Sequence, residues 1–220
     1  MQDIVREGIY RFELCGETCA VVRYAGAETD IVDIELPTHF DGRAVTAIRL
    51  EAFAYCEHLK RVVIPDTVTE VGKEAFRACR AVECVTIGNG VTSIGKKAFY
   101  WCDKLSDLTL GGALKYVGEL AFAGCAVSSL ILPEGLKEIE EGAFFSCRRL
   151  TNVTIPASVT SIGKDAFDCC RNLTSVIFSE PSGWSVDVPD GAEPVSVQAL
   201  SDPAAAAKLL KQAKPLRRNG

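Results

Sequence analysis

Along the middle of the chain, apolar positions recur at fixed offsets from a repeated Ala-Phe pair. The pair stands at Ala52-Phe53, Ala75-Phe76, Ala98-Phe99, Ala121-Phe122, Ala143-Phe144 and Ala166-Phe167. Successive phenylalanines are 23, 23, 23, 22 and 23 residues apart, and a cysteine follows each by three positions. An apolar residue follows Phe by six positions at Leu59, Val82, Leu105, Leu150 and Leu173, and arrives one residue early at Val127. Next come Val62, Val85, Leu108, Leu130, Val153 and Val176, and two residues later Ile64, Ile87, Leu110, Leu132, Ile155 and Phe178. This is L-x-x-L-x-L spacing, its end alternating like a short strand. A Pro or Gly follows (Pro65, Gly88, Gly111, Pro133, Pro156), then a second apolar pair such as Val68/Val71 or Val91/Ile94.

A period this regular predicts a solenoid. One coil's apolar positions cannot offset the backbone entropy of the residues it orders, so coils must stack and share a core. Stacking adds hydrogen bonds between parallel strands about 4.8 Å apart. The predicted fold is an α/β repeat solenoid of leucine-rich type, with a parallel sheet of about seven strands, an N-terminal β-hairpin cap and a C-terminal helix.

The unit A-F-x-x-C-x-x-L-x-x-V-x-I-P-x-x-V-x-x-I-G resembles the BspA-like class of bacterial leucine-rich repeats, over roughly residues 31–178. The resemblance implies a binding surface with an unspecified ligand, since members are mostly surface or interaction proteins. The departures are small: the fourth coil has lost one residue after Cys125, and Gly stands for Pro twice.

The ends read differently from the middle. Residues 1–30 form an expected cap, because Ile9 to Leu14 alternates, Gly16-Glu17 turns, and Cys19 to Tyr24 alternates back. Residues 31–178 hold the repeats, with a longer first coil turning at Asp41-Gly42 and a turn of helix expected around each Ala-Phe. Residues 179–220 form a second cap with Trp184 as anchor. There Ser201-Asp202-Pro203 starts a helix running to about Lys214, and the basic "LRRNG" is expected to be loose.

Composition excludes little beyond this. Net charge of −5 and pI near 5.2 argue against nucleic acid as the main partner. No stretch approaches 18 continuous apolar residues, so no membrane insertion is expected. The start "MQDIVREGIYRFEL" lacks a basic end followed by an apolar core. The expected location is cytoplasmic as the chain stands, or cell surface or secreted if an export signal was removed.

Six of the ten cysteines fall at one template position, Cys56, Cys79, Cys102, Cys125, Cys147 and Cys170. They read as small buried apolar side chains and free thiols, since parallel Cβ vectors suit neither a disulfide nor a tetrahedral zinc site. Cys15 and Cys19 could pair across the hairpin, and Cys84 is read as an outward, reactive thiol. No cofactor or metal is expected.

Function is sought on the surface. One outward strand column is Asp33, Arg61, Cys84, Asp107, Ser129, Asn152 and Ser175; the other is Glu35, Val63, Thr86, Thr109, Ile131, Thr154 and Ile177. Asp33, Glu35, Arg61, Asp107, Thr109, Asn152 and Thr154 are the strand-face binding candidates, though β-compatible surface residues would look the same. A second candidate is the edge between Cys and strand, where Arg80, Lys104, Arg148, Arg149 and Arg171 form a basic ridge for an acidic partner, or a merely solvated edge. Tyr100 and Trp101, with Tyr55 and Phe145, place large aromatics on the same edge as interface anchors or as covers for the core.

Catalysis is not expected. His39 and His58 lie in different coils, and no nucleophile, acid pair or phosphate-loop motif converges. The reading is a non-catalytic module that binds another protein on a rigid surface, with a cell-surface adhesin or glycan-binding role and a structural spacer as alternatives.

Overall fold

The computed structural model describes residues 4–25, 31–188, 191–194, 197–212 and 214–218. The coils stack into a parallel β-solenoid around one continuous core. Each coil contributes a strand to a first face: Asp33–Glu35, Arg61–Ile64, Cys84–Ile87 and Asp107–Thr109 pair in parallel, as do Ser129–Ile131, Asn152–Ile155 and Ser175–Phe178. These seven strands form two separate sheets rather than one. The interruption falls at the short fourth coil. Losing one residue after Cys125 brings Leu130 early, and Ser129–Ile131 does not join Asp107–Thr109.

A second ladder runs through the other apolar pair. Arg43–Ile48, Glu70–Val71, Ser93–Ile94, Tyr116–Val117, Glu138–Ile139 and Ser161–Ile162 pair in parallel without a break. Two residues are too few for alternation to show, so the pattern predicts apolar positions here but no strands.

The Ala-Phe segments are tight turns, not turns of helix. Their N–H groups cross to the next coil: Phe99 N donates to Ala121 O at 2.7 Å and Trp101 N to Ala123 O at 2.9 Å. A helix would spend those donors within its own turn. Each corner has two residues at positive φ, for example Lys97 (57°) and Trp101 (60°) in the third coil.

Between the corners, the six phenylalanines stack face to face. Ring centroids are 4.6 Å apart for Phe53–Phe76 and 5.5 Å for Phe122–Phe144. Beside them the five ladder cysteines after Cys56 donate their thiols to the Phe carbonyl one coil back, as in Cys79 to Phe53 at 3.0 Å, Cys102 to Phe76 at 3.2 Å and Cys147 to Phe122 at 3.3 Å. The cysteines are therefore donors as well as small apolar fillers. All ten are free thiols. Cys19 is buried, with its sulfur 3.6 Å from Ala44 O, while Cys15 is exposed, so the two do not pair.

The N-terminal hairpin, Tyr10–Cys15 with Thr18–Tyr24, carries an added outer strand at Ile4–Glu7. Phe12 stacks on Phe40 at 4.2 Å and Tyr24 on Phe53 at 5.2 Å, which carries the aromatic column to that end of the core. The Asp41-Gly42 turn has both residues at positive φ, 48° and 71°, as a two-residue hairpin loop requires.

At the other end Trp184 is buried, donates its indole N–H to Glu180 O at 3.0 Å and meets Phe178 edge-on. The helix Pro203–Leu210 is capped by Asp202, whose carboxylate accepts from Ala204 N and Ala205 N. It stops short of Lys214, with Lys211 reaching across to Leu173 O at 2.9 Å. The described part of the basic tail, residues 216–218, is not loose. Leu216–Arg218 is a strand antiparallel to both Ser161–Ile162 and Trp184–Val188, with Leu216 buried. Its single apolar residue, too little to read from pattern, anchors it.

Candidate functional site

The strand face is regular and shallow. Asp33, Arg61, Cys84 and Asp107 sit in one register column, as do Ser129, Asn152 and Ser175. Glu35, Thr109 and Thr154 are exposed in the neighbouring columns. Ile131 is 84% exposed and, with Ile177 beyond Thr154, leaves an apolar stripe on the second sheet. Cys84 is half-buried with its thiol 3.4 Å from Asp107 Oδ2. Burial first, then the Asp107 carboxylate, pushes that thiol up. The expected reactivity is therefore opposed by its neighbours.

The corner edge is where the surface becomes concave. A pocket of about 530 Å³ lies over the fourth coil. Tyr100, Trp101 and Asp103 wall it from the third coil, and Phe145, Ser146, Arg148 and Arg149 from the fifth. Leu120, Gly124, Cys125 and Ala126 form its floor. The missing residue is the cause. Where every other coil places two residues of which at least one is charged, such as Asp103-Lys104, Arg148-Arg149 or Arg171-Asn172, the fourth has only Ala126 before Val127.

The local chain geometry fixes each wall. Trp101 occupies a left-handed corner that recurs at Tyr55, Ala78, Ser146 and Cys169, so this backbone belongs to the repeat rather than to a strained site. Its ring is half exposed and lies over Gly124, where an added Cβ would meet Trp101 Cδ1 at 3.2 Å. Tyr100 packs at 5.9 Å from Trp101, with the Lys97 ammonium 5.6 Å from its ring. Arg148 donates through Nε to Ser146 Oγ at 3.2 Å. Among the ion pairs of the described residues, none includes Arg148, Arg149 or Asp103.

The structure thus brings together Tyr100, Trp101, Arg148 and Arg149 from the predicted edge set. Arg80, Lys104 and Arg171 are exposed on the same edge but do not line the pocket. Leu120, Gly124 and Ala126 are lining residues that the pattern does not single out. The signal for them is in the sequence: the one-residue gap and the absence of charge from Leu120 to Pro133. No group of three metal-binding side chains occurs among the described residues, and no described helix is long and apolar enough to cross a membrane.

The geometry is that of a leucine-rich-repeat solenoid, and comparison with known proteins specifies the class. Residues 24–128 and 115–183 match the BspA type leucine rich repeat region in six copies, and the chain belongs to that family. Among solved structures it is similar to a leucine-rich repeat protein of T. pallidum (26% identity, TM-score 0.58), covering 75% of this chain and 88% of that one. A leucine-rich repeat protein from Bacteroides ovatus is also 26% identical with TM-score 0.68, over 78% of this chain and 46% of the other. A leucine rich cell surface protein from Faecalibacterium prausnitzii matches at 26% identity and TM-score 0.64, over 87% of this chain and 60% of that one. The chain therefore spans about half to three fifths of the length of these two. No curated protein matches it. Proteins of this repeat class are generally non-catalytic interaction scaffolds.

Proposed function

We propose that this protein is a non-catalytic module that binds another protein through the corner edge, with the pocket over the fourth coil as the principal contact. The observation that carries this reading is the coincidence of one shortened coil with a walled, mostly apolar concavity of about 530 Å³. Pockets of this size lined by aromatics with a few placed charges suit an anchor side chain from a partner. The scaffold is rigid, so docking there orders little of it. The strand-face column of Arg61, Asp107 and Asn152 is the surface a larger partner would reach next.

Affinity capture from the source cells with three baits tests the reading: wild type, Trp101→Ala with Phe145→Ala, and Arg61→Ala with Asp107→Ala and Asn152→Ala. The expected outcome is a protein retained by wild type and by the strand-face variant but lost with the pocket variant. Retention by the pocket variant and loss from the strand-face variant would move the site to the strands.

A further inference from the structure

The fourth coil departs from the repeat at four surface positions, and every departure removes charge or bulk. Leu120 stands at the corner position that carries Glu51, Glu74, Lys97 and Asp165 in four other coils and Gly142 in the fifth. Gly124 stands where Tyr55, Ala78, Trp101, Ser146 and Cys169 are found, Ala126 where Glu57, Arg80, Asp103, Arg148 and Arg171 are found, and the next position is deleted. The core of the same coil is unaltered: Phe122, Cys125 and Val127 are fully buried like their counterparts. The change is confined to the outer layer, so core packing does not account for it.

The groove so opened is electrically polarised along its length. At the strand end stand Arg148 and Arg149, neither of which has a carboxylate partner among the described residues. At the other end an adjoining depression of about 160 Å³ shares Leu120 and Phe145 and is lined by Glu119, Glu141 and Asp165, of which Glu119 pairs with Lys96 at 2.6 Å and Asp165 with Lys164 at 3.9 Å. Between them lie the Trp101 and Phe145 rings. Asp103, on the third-coil wall at the template position of Arg148, leaves one carboxylate at the basic end, an acceptor for an amide N–H.

We infer that the groove receives a partner peptide segment with one large apolar side chain beside a carboxylate, the apolar group between Trp101 and Phe145 and the carboxylate on Arg148 and Arg149. This rests on the protein-binding reading above and narrows it to a chemical class of ligand. The Arg148 and Arg149 guanidiniums complement an acid at one end, whereas at the other Glu141, which has no ion-pair partner among the described residues, disfavours one, and this sets the direction in which the segment lies. A segment acidic on both sides of its anchor is disfavoured.

The test is to select a random twelve-residue peptide display library on the full chain, then to titrate enriched peptides against variants. Trp184 is 2% exposed and Trp101 50% exposed, so quenching of indole fluorescence by acrylamide reports the groove directly. The expected peptides carry Phe, Trp, Leu or Met within two positions of Asp or Glu and shield Trp101 from acrylamide. Their affinity falls at least tenfold with Trp101→Ala, at least tenfold with Arg148→Ser plus Arg149→Ser, and several-fold between 50 mM and 500 mM salt. Both variants change exposed side chains, and an unchanged melting temperature verifies that they fold. Peptides lost with Trp101→Ala but indifferent to the arginine variant and to salt would overturn the acidic ligand while leaving the groove as a docking site. Peptides indifferent to Trp101→Ala as well would remove both, and the absence of any enriched peptide overturns the inference.

Discussion

The rings of Phe76 and Phe99 lie 2° from parallel with centroids 5.0 Å apart. That separation lies within the roughly 4.5–7 Å range over which aromatic pairs attract. Phe76, Phe99, Phe122 and Phe144 each have a phenylalanine ring on both sides, and all six of the column are buried. Phe99→Ala is expected to cost about 3–5 kcal/mol, because the coils above and below cannot close the cavity without breaking their ladders. Urea denaturation midpoints measure it, and a midpoint equal to wild type would refute the shared column.

Thiol labelling separates the cysteines into two groups. Cys15, Cys84 and Cys169 are accessible, and the other seven are buried. Only the first three are expected to react with a thiol reagent before denaturation. Asp107→Asn removes the carboxylate that raises the Cys84 thiol, so Cys84 should then react about two- to tenfold faster near neutral pH. Rapid native labelling of Cys102 would contradict the buried thiol ladder.

Gly111 and Gly112 should respond in opposite ways to alanine. A Cβ on Gly111 would lie 2.1 Å from Gly88 O in the coil below, whereas one on Gly112 meets nothing nearer than 3.7 Å. Gly111→Ala is expected to cost about 1–3 kcal/mol and Gly112→Ala to stay within about 0.5 kcal/mol of wild type, read from melting curves. Equal effects would mean that coil spacing does not depend on the missing side chain.

Glu74 gives the fold an acid-sensitive contact. Burial alone would raise its carboxyl, but Arg77, 2.7 Å away, together with Lys73 and Lys97, outweighs burial and holds it below 4.5. A carboxyl lower in the folded than in the unfolded chain stabilises above the unfolded value, and the effect fades as pH falls through the folded one. Glu74→Gln is expected to lower stability by about 1 kcal/mol or less at pH 7. The gap to wild type should shrink as pH drops below 4.5, in urea titrations at a series of pH values. A gap constant with pH would assign the loss to packing.

Restoring the fourth coil's length should trade the groove for stability. Inserting one Ser between Ala126 and Val127 returns the spacing to that of its neighbours and lets Ser129–Ile131 pair with Asp107–Thr109. Each regained backbone hydrogen bond contributes about 0.5–1.5 kcal/mol, and each kcal/mol raises the melting temperature by about 2–4 °C in a chain of this size. Differential scanning calorimetry should record the rise. A fall would show that the interruption of the strand sheet is not caused by the deletion.

Much of this was legible in the residues. The Phe and Cys columns, the seven face strands and the Asp202 cap follow from period and capping chemistry, and the Asp41-Gly42 turn from its dipeptide. The second ladder was not, because strands such as Ser93–Ile94 are two residues long and carry no alternation. Nor was the tail strand Leu216–Arg218, which is held by one buried leucine followed by two arginines. The pocket lies between these cases. Trp101 and Arg149 were visible as candidates, yet the feature that joins them is an absence, one residue missing beside Ala126. An absence becomes a cavity only when the coils on either side are stacked against it.

The second ladder also sets how this molecule measures distance. The N-terminal meander enters it at Arg43–Ile48, and the closing strand Leu216–Arg218 leaves it at Ser161–Ile162. Between those two junctions every coil is laid down at the same strand spacing, about 4.8 Å. Duplicating or excising one unit, such as the coil centred on Phe76, would move the two ends apart or together by that step while leaving each end's own contacts intact. The protein is a ruler with the repeat as its graduation, and the reach between anything held at its two ends can be set in whole coils.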